Sequence, residues 1–486
     1  MSVFARDFPD GLPLGAGWVS TPTSEPVHFP YDGSVVATAP VGTADLAVHA
    51  VEEAVAVRSA TGRLPSHLRR DALLGTHAAV AARRIDFERL LVLETGKPLV
   101  DCRVEVARTL LTLQTAAEEV ARLHGETVPL DLLPSGEGLL GFWVRKPIGV
   151  VVGIAGFNYP LLLAAHKVAP ALAAGCPMIV KPAPQTPLAT LWLVHLMREA
   201  LTAAGGPAAA VQLVTGGPEV GVALTTDSRI GAVSFTGSAA VGHQIARDAA
   251  PTKVLLELGS NAALVVAQDA DLDAAADAVV RGGYYASGQA CISVQRVLVV
   301  EAMREKFLDR LAERIASVAV GDPREPTTQV SALIDDRSTK RVHAWVEEAV
   351  AAGASVVSGG SVSDGVVAPT VLLDVAGGQP AWDEEIFGPV VAVRSVPDFS
   401  TALDIVNDSR YGLHASVFTS SLASAFQAIE RLEVGGVIVN DVPGFRSDVM
   451  PYGGVKDSGI GREGPRFAIE ELTVTRMAVI RPSTGR

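Results

Sequence analysis

Residues 149–183, GVVVGIAGFNYPLLLAAHKVAPALAAGCPMIVKPA, decide the fold. GVVVGIAG is a short β-rich run, LLLAAHKVAPALAAG has the length of a helix and closes on Gly175, and PMIVKPA is a second buried strand. The alternation continues downstream. LATLWLVHLMREAL reads as a helix, AVQLVTG as a strand, EVGVALTTD as a short helix, GAVSFTG as a strand, AAVGHQIARDA as a helix and KVLLELG as a strand. Apolar strands alternating with helices of this length predict βαβ units and a parallel sheet covered on both faces, a doubly wound α/β lobe.

Working outward, ADLAVHAVEEAVAVR and SHLRRDALLGTHAAVAARR carry apolar residues three and four apart and predict amphipathic helices ahead of the lobe. Between them and Gly149, ETVPLDLLPSGEGLLGFWVRKPIG places two apolar stretches around a Pro-Ser-Gly-Glu-Gly turn. This predicts a hairpin that leaves the sheet and needs a partner for its edges. A second α/β series starts at DLDAAADAVVRGGYY, runs through QRVLVV and REKFLDRLAERIASV, and ends with ASVFTS and GGVIVN. A chain of 486 residues exceeds what one core usually serves, so two lobes fit its length.

Composition narrows the function. Hydrophobic residues make up 48% and charged residues 19%, a balance that excludes a mostly disordered chain. The net charge is −13 with no dense Lys/Arg block, so the electrostatic footprint of nucleic-acid binding is missing. Three scattered cysteines, Cys102, Cys176 and Cys291, form neither a disulfide framework nor a metal-ligand spacing, so no metal is expected. The opening MSVFARDFPDGLPLG lacks a basic-then-apolar leader, and no apolar run reaches about 18 residues. A cytoplasmic protein without a membrane partner is the expectation.

Several polar residues stand where chemistry is done. Asn158 in GIAGFNYP follows a strand of the parallel sheet, where open α/β sheets collect ligands, and its amide reads either as an oxyanion donor or as a plain turn before Pro160. Glu257 ends the apolar strand VLLELG, as a general base with a raised pKa or as one half of an edge salt bridge. FTGSAAVG sets Gly237 and Gly242 at a strand-to-helix turn that suits a phosphate or simply a tight turn. In GYYASGQACIS, Cys291 by itself reads as a buried apolar thiol, yet Ser287, Gln289 and Ser293 are poor filling for an apolar core.

Taken together, FNYP with HKVAPALAAGCPMIVKPA, FTGS, LELG, GQACISVQR, EEIFGPV and MPYGGVKDSGIGREG occur in the order and approximate spacing of the NAD(P)-dependent aldehyde dehydrogenase superfamily, which the chain resembles over nearly its whole length. The resemblance implies an α/β fold with a Rossmann-type doubly wound cofactor domain, an α/β catalytic domain and a small oligomerisation hairpin. The expected divisions are 1–126 and 149–258 for the cofactor domain, 259–469 for the catalytic domain, and 127–148 with 470–486 for oligomerisation as a homodimer or homotetramer. It implies Cys291 as nucleophile, Glu257 as general base and Asn158 as oxyanion donor. It further implies Lys181 on the adenosine ribose, Gly237, Ser238 and Gly242 around the pyrophosphate, and Glu385 and Phe387 at the nicotinamide ribose and ring. Many members carry Glu three residues after this Lys, where the present chain has Pro184, so both NAD and NADP remain open.

The motif style is closest to the branch of lactaldehyde, phosphonoacetaldehyde and non-phosphorylating glyceraldehyde-3-phosphate dehydrogenases. In that frame Arg446 lies where side chains line the substrate tunnel and Arg108 reads either as approaching its mouth or as an ordinary solvated helix residue; together two guanidiniums could clamp an anionic group, and Ala290 and Ile292 wall the pocket. The resemblance thus implies oxidation of a small polar or anionic aldehyde. Two other readings are acyl transfer to coenzyme A, against which Glu257 speaks, and a catalytically silent member, against which the retained Cys, Glu and Asn speak.

Overall fold

A computed structural model describes residues 8–482. The expectations for residues 1–7 and 483–486, the outer ends of the first and last segments, lie outside the described residues. A long helix, α1 (Leu99–Glu119), follows Pro98 and precedes the doubly wound lobe. The lobe then runs β1 (Val150–Ile154), α2 (Pro160–Ala174), β2 (Met178–Lys181), α3 (Leu188–Ala203), β3 (Val211–Leu213), α4 (Pro218–Thr225), β4 (Ile230–Thr236), α5 (Ala239–Asp248) and β5 (Lys253–Glu257). Pro160 opens α2 where a missing N–H costs nothing, and Gly175 closes it at φ 83°, a left-handed turn that a side chain would resist.

The sheet order is β5-β4-β1-β2-β3, all parallel, with the short Gly459–Ile460 strand added antiparallel at β5. Chain order reverses between β1 and β4. At such a switch point the connections leave to opposite faces and open a crevice at the carboxyl ends of the strands. Asn158 follows β1, Gly237 follows β4, Lys181 ends β2 and Glu257 ends β5, so the sheet itself gathers these residues along one edge.

The second lobe is built on β6 (Ala263–Val266), β7 (Arg296–Val300), β8 (Thr370–Leu373), β9 (Val390–Val396), β10 (His414–Phe418) and β11 (Gly436–Val439), with α6 (Leu272–Tyr284) between β6 and β7. Its order is β8-β9-β7-β6-β10-β11, all parallel, with Ser355–Ser358 antiparallel outside β8. Alternate residues bury on opposite faces: Ala263 and Val265 join one core, Leu264 and Val266 the other. A sheet covered on both faces explains why its strands read as continuous apolar runs.

The expected hairpin is present, Glu126–Val128 against Leu140–Pro147, and a third strand completes it. Thr473–Ile480 pairs along the whole of Leu140–Pro147, from Thr473 opposite Pro147 to Ile480 opposite Leu140. Two segments more than 300 residues apart therefore share one small sheet. Near the start of the chain a further antiparallel pair, Thr23–His28 with Val35–Val41, was not foreseen from the proline-rich sequence there.

Candidate active site

A cavity of about 240 Å³ lies where the carboxyl ends of β1, β4 and β5 face the second lobe. Of the residues singled out in the sequence, Asn158, Gly237, Ser238, Glu257, Ala290, Cys291, Ile292, Glu385, Phe387, Arg108 and Arg446 all line it. Lys181 and Gly242 do not.

Cys291 lies in the turn between α6 and β7, and it is the one partly exposed cysteine, Cys102 and Cys176 being buried. The turn is unusual backbone. Ala286, Ser287 and Gly288 have φ of 49°, 56° and 72°, a run in the left-handed region that L side chains avoid. Gly288 is required on a second count, since a Cβ there would lie 2.1 Å from the Gly388 carbonyl oxygen. The polar neighbours that fit an apolar core poorly are what hold this shape. Ser287 Oγ accepts from Ser331 N–H (2.9 Å), Gln289 Oε1 from Ile334 N–H (3.0 Å), and Ser293 Oγ donates to the Gly282 carbonyl (3.1 Å).

Sγ of Cys291 sits 3.2 Å from Tyr452 Oη, a partner that sequence reasoning missed although Tyr452 belongs to the PYGG motif. Burial pushes the thiol up to about 11, the Tyr452 contact opposes this, and the carboxyls of Glu385 and Glu257 add to it. Asn158 Nδ2 donates one hydrogen to the Gln289 carbonyl at 2.9 Å. A primary amide has two, so the second remains for the cavity.

Glu257 is buried, and among the described residues its Oε2 has no hydrogen-bond partner. Burial raises its pKa well above the ordinary carboxyl range, and the nearby charge of Glu463 raises it further, against Arg446 and Lys167. Burial acts on Glu463 in the same sense, but Lys167, His166 and Arg446 outweigh it and hold that carboxyl ionised. Of two carboxyls sharing the same cations, Glu463 carries the charge and Glu257 keeps its proton more readily.

The arginines arrive with partners the sequence did not show. Arg108 grips Asp448 with both arms, Nε to Oδ2 at 3.0 Å and Nη2 to Oδ1 at 2.8 Å, so it meets the cavity as half of an ion pair and not as the free clamp expected. Asp448 also faces His166 Nε2 at 3.0 Å. Burial would raise that carboxyl, yet His166 and Arg108 keep it well below the usual range. Arg446 donates from Nη2 to Glu463 (3.1 Å) and lies over the Tyr452 ring at 3.6 Å, while its buried Nε makes no hydrogen bond among the described residues and faces the Asp448 carboxylate at 3.6 Å. Lys167 Nζ donates to Thr236 Oγ1 (2.7 Å) and Glu463 (3.2 Å). His166, Lys167 and Glu463 lie within the quoted motifs and Asp448 just ahead of one, yet none was singled out, because their roles show only in the ion pairs they make across the fold.

The cofactor candidates divide. The N–H of Gly237 donates to the Glu257 carbonyl at 3.0 Å and that of Gly242 to Ser238 within α5, so neither is a free phosphate donor as first read. Gly242 serves packing: a Cβ there would meet Leu258 Cδ2 at 2.3 Å. The donors of the turn are instead the first N–H groups of α5, where Ser238 makes no side-chain cap and no acid occupies the first turn. Glu385 accepts from Ser260 N–H at 3.0 Å, and burial pushes it up to about 7. Phe387 has φ 52° and meets Phe157 edge-on at 5.6 Å. Lys181 is buried at the end of β2, and burial lowers its ammonium to about 8, with Glu219 opposing. Among the described residues no group of acids, histidines and cysteines could hold a metal ion, and no helix is long and apolar enough to cross a membrane.

A thiol on a strained turn shares one cavity with an amide and a buried carboxyl at the switch point of a doubly wound sheet, a place where α/β enzymes hold their ligands, and residues 18–478 match the aldehyde dehydrogenase family. The chain belongs to that family. It is similar to 3-sulfolactaldehyde dehydrogenase of Priestia aryabhattai, 39% identical over 97% of this chain and 98% of the relative. Among solved structures, aldehyde dehydrogenase 21 of Physcomitrella patens with its reaction product succinate matches at TM-score 0.94 and 36% identity, covering 98% of this chain and 99% of the other. Glyceraldehyde-3-phosphate dehydrogenase of Methanocaldococcus jannaschii with NADP matches at TM-score 0.91 and 33% identity, covering 95% and 100%.

Proposed function

We propose that this protein oxidises a small aldehyde bearing an anionic group to its carboxylic acid, with NAD+ or NADP+ as the acceptor. The observation that carries the reading is the convergence in one cavity of Cys291, Asn158, Arg446 and Glu257, whose Oε2 has no hydrogen bond among the described residues. The residues suit the cofactor: α5 offers an acid-free, uncapped N-terminus to a pyrophosphate, Lys181 at the carboxyl end of β2 is a donor for ribose hydroxyls, and Glu385 in the cavity lining is an acceptor for them.

In this mechanism Cys291, as thiolate, adds to the aldehyde carbon, and the oxygen that gains charge accepts from the second N–H of Asn158 and from the Cys291 backbone N–H. NAD(P)+, when bound, supplies the acceptor for the hydride that leaves this carbon. The thioester left on Cys291 is hydrolysed: ionised Glu257 takes a proton from water, the hydroxide adds to the acyl carbon, and the thiolate departs. Free acid is therefore the product and not an acyl-CoA. Lys181, Gly237, Ser238, Glu385 and Phe387 form the cofactor side, and Arg108, Ala290 and Ile292 the substrate side with Arg446.

The anionic preference follows from Arg446. Arg446 lines the cavity, and a carboxylate, sulfonate or phosphate there would gain a charge-assisted hydrogen bond from its guanidinium. The relatives agree in kind, one being named for a sulfonated aldehyde and another holding succinate as product. The test is a panel of anionic and neutral short aldehydes with NAD+ and NADP+ in parallel, on wild type and Arg446→Met. In the variant kcat/KM should fall roughly tenfold to hundredfold further for anionic than for neutral aldehydes, the worth of one charged hydrogen bond, over any loss common to both that follows from the contacts of Arg446 with Glu463 and Glu257. Equal losses for both sets would refute the anionic preference, and no reduced nicotinamide with any aldehyde would refute the oxidation itself.

The protein is further proposed to work as a cytoplasmic homodimer or homotetramer. The outer edges of β11 and of Thr473–Ile480 support this, since each strand is hydrogen-bonded on one side only among the described residues.

A further inference from the structure

Lys97 is a buried cation outside the reaction as described, and it touches the loop of Asn158. It stands in the three-residue connector Gly96–Lys97–Pro98 ahead of α1, fixed by its own N–H to Thr95 Oγ1 at 3.1 Å and by Gly96 at φ 69°. Its side chain is 2% exposed and that of its partner Glu105 is 0%. Nζ pairs with Glu105 Oε2, donates to the Asn158 carbonyl oxygen at 2.7 Å, and lies 3.6 Å from the centre of the Tyr159 ring. The other Glu105 oxygen, Oε1, accepts from Leu161 N–H (3.0 Å) and Leu162 N–H (3.2 Å). Those are first-turn donors of α2, which has no side-chain cap of its own.

The stretch 158–162 is thus held from one side by a single ion pair. Lys97 takes the carbonyl of Asn158, Glu105 takes the amides just beyond it, and the Asn158 side chain is tied to the Gln289 carbonyl two residues before Cys291. A neutral carbonyl at this point has no other donor as strong, because a charged N–H in a low-dielectric interior makes a short, directional bond. If the carbonyl rotates, the whole peptide turns and the second N–H of Asn158 leaves the line to the aldehyde oxygen. An oxyanion donor displaced by about 1 Å loses most of its effect.

We infer that Lys97, paired with Glu105, is a positioning residue that fixes the direction of the Asn158 amide toward the oxyanion. The inference rests on the reading of Asn158 as the oxyanion donor. It assigns to Lys97 no contact with substrate or cofactor; its effect passes through Asn158 alone.

A double-mutant cycle separates this from general support of the fold. Lys97→Met, Asn158→Ala and the double variant are compared by kcat and KM on one aldehyde, by the dissociation constant of the nicotinamide cofactor from protein fluorescence, and by melting temperature. Asn158→Ala should lower kcat roughly hundredfold to thousandfold, as loss of an oxyanion donor does. Lys97→Met should lower kcat at least about tenfold, with KM and cofactor affinity within about twofold, and the double variant should be no slower than Asn158→Ala. Losses that multiply in the double variant, an unchanged kcat in Lys97→Met, or parallel losses of kcat and cofactor affinity overturn the positioning role while leaving Asn158 in place. An undiminished kcat in Asn158→Ala overturns the oxyanion reading and the positioning role with it. Should Lys97→Met fail to fold, Glu105→Gln runs the same cycle, since it keeps an acceptor for the α2 amides and removes the charge that steadies Lys97.

Discussion

Cys291 combines a strained backbone with a raised thiol pKa, and the second has a direct consequence. With the thiol pushed up to about 11, the protein without cofactor holds only a small thiolate fraction at neutral pH, and that fraction grows tenfold for each pH unit. Alkylation by iodoacetamide, followed by mass spectrometry of the Cys291 peptide, should therefore accelerate about tenfold per unit between pH 7 and 9. Cys102 and Cys176, both buried, should stay unlabelled. A plateau by pH 8 would mean that Tyr452 and Arg446 stabilise the thiolate more than burial destabilises it. At this scale the sequence was informative where a motif residue carries its own chemistry, as a thiol, a carboxyl or an amide at a strand end: Asn158, Glu257 and Cys291 do meet in one cavity. It was silent on Tyr452 as the partner of Sγ, 161 residues away, because a contact across two lobes leaves no periodicity in the chain. Gly242 shows the opposite case, a glycine in a motif whose place here is set by Leu258 against α5.

Among the elements, α1 does the most for the site and was the least legible. Asp101, Glu105 and Arg108 stand four and three residues apart, one face of a helix, and each reaches a different wall: Asp101 the N–H of Ala286 in the nucleophile turn (2.9 Å), Glu105 the start of α2, Arg108 the carboxyl of Asp448. In sequence this face looks like an ordinary charged surface, since nothing local says that three ionic side chains point inward. By contrast, β1 to β5 were readable from Gly149 onward, because buried strands and helices each leave their own period. The burial of Asp101 makes its role measurable. Its carboxyl is pushed up to about 6 by desolvation, against about 4 in an unfolded chain, so the folded state keeps the proton to higher pH. The stability that this group contributes is full below about pH 4, falls between about 4 and 6, and is lost above that range. Asp101→Asn keeps an acceptor for Ala286 and cannot titrate. Relative to it, wild type should lose up to about 3 kcal/mol of unfolding free energy between pH 4 and 7 in urea titrations. A difference that does not change with pH would mean that Lys97 holds Asp101 ionised in the fold.

For the whole molecule, the open question is what covers the sheet edges. The small sheet begins with Glu126–Val128, is centred on Leu140–Pro147 and ends with Thr473–Ile480, whose outer side meets no strand among the described residues. Val474, Met477, Val479 and Ile480 on that last strand are between 43% and 55% exposed. In the second lobe β11 likewise pairs only with β10 among the described residues. A chain with bare sheet edges and an apolar margin along one of them is prone to association, and a closed symmetric assembly can cover such edges. The hairpin was readable from its turn, but the joining of its central strand to the C-terminus was not, since that pairing spans more than 300 residues and neither segment alternates cleanly. Met477 and Val479 lie on the same face of the outer strand, so Met477→Lys with Val479→Lys places two charges along the margin without touching the cavity. By light scattering after size-exclusion chromatography, wild type at micromolar concentration should have the mass of two or four chains, and the double variant half of that or less. A monomeric wild type would show that the edges stay solvated, and an unchanged mass in the double variant would move the interface away from this strand.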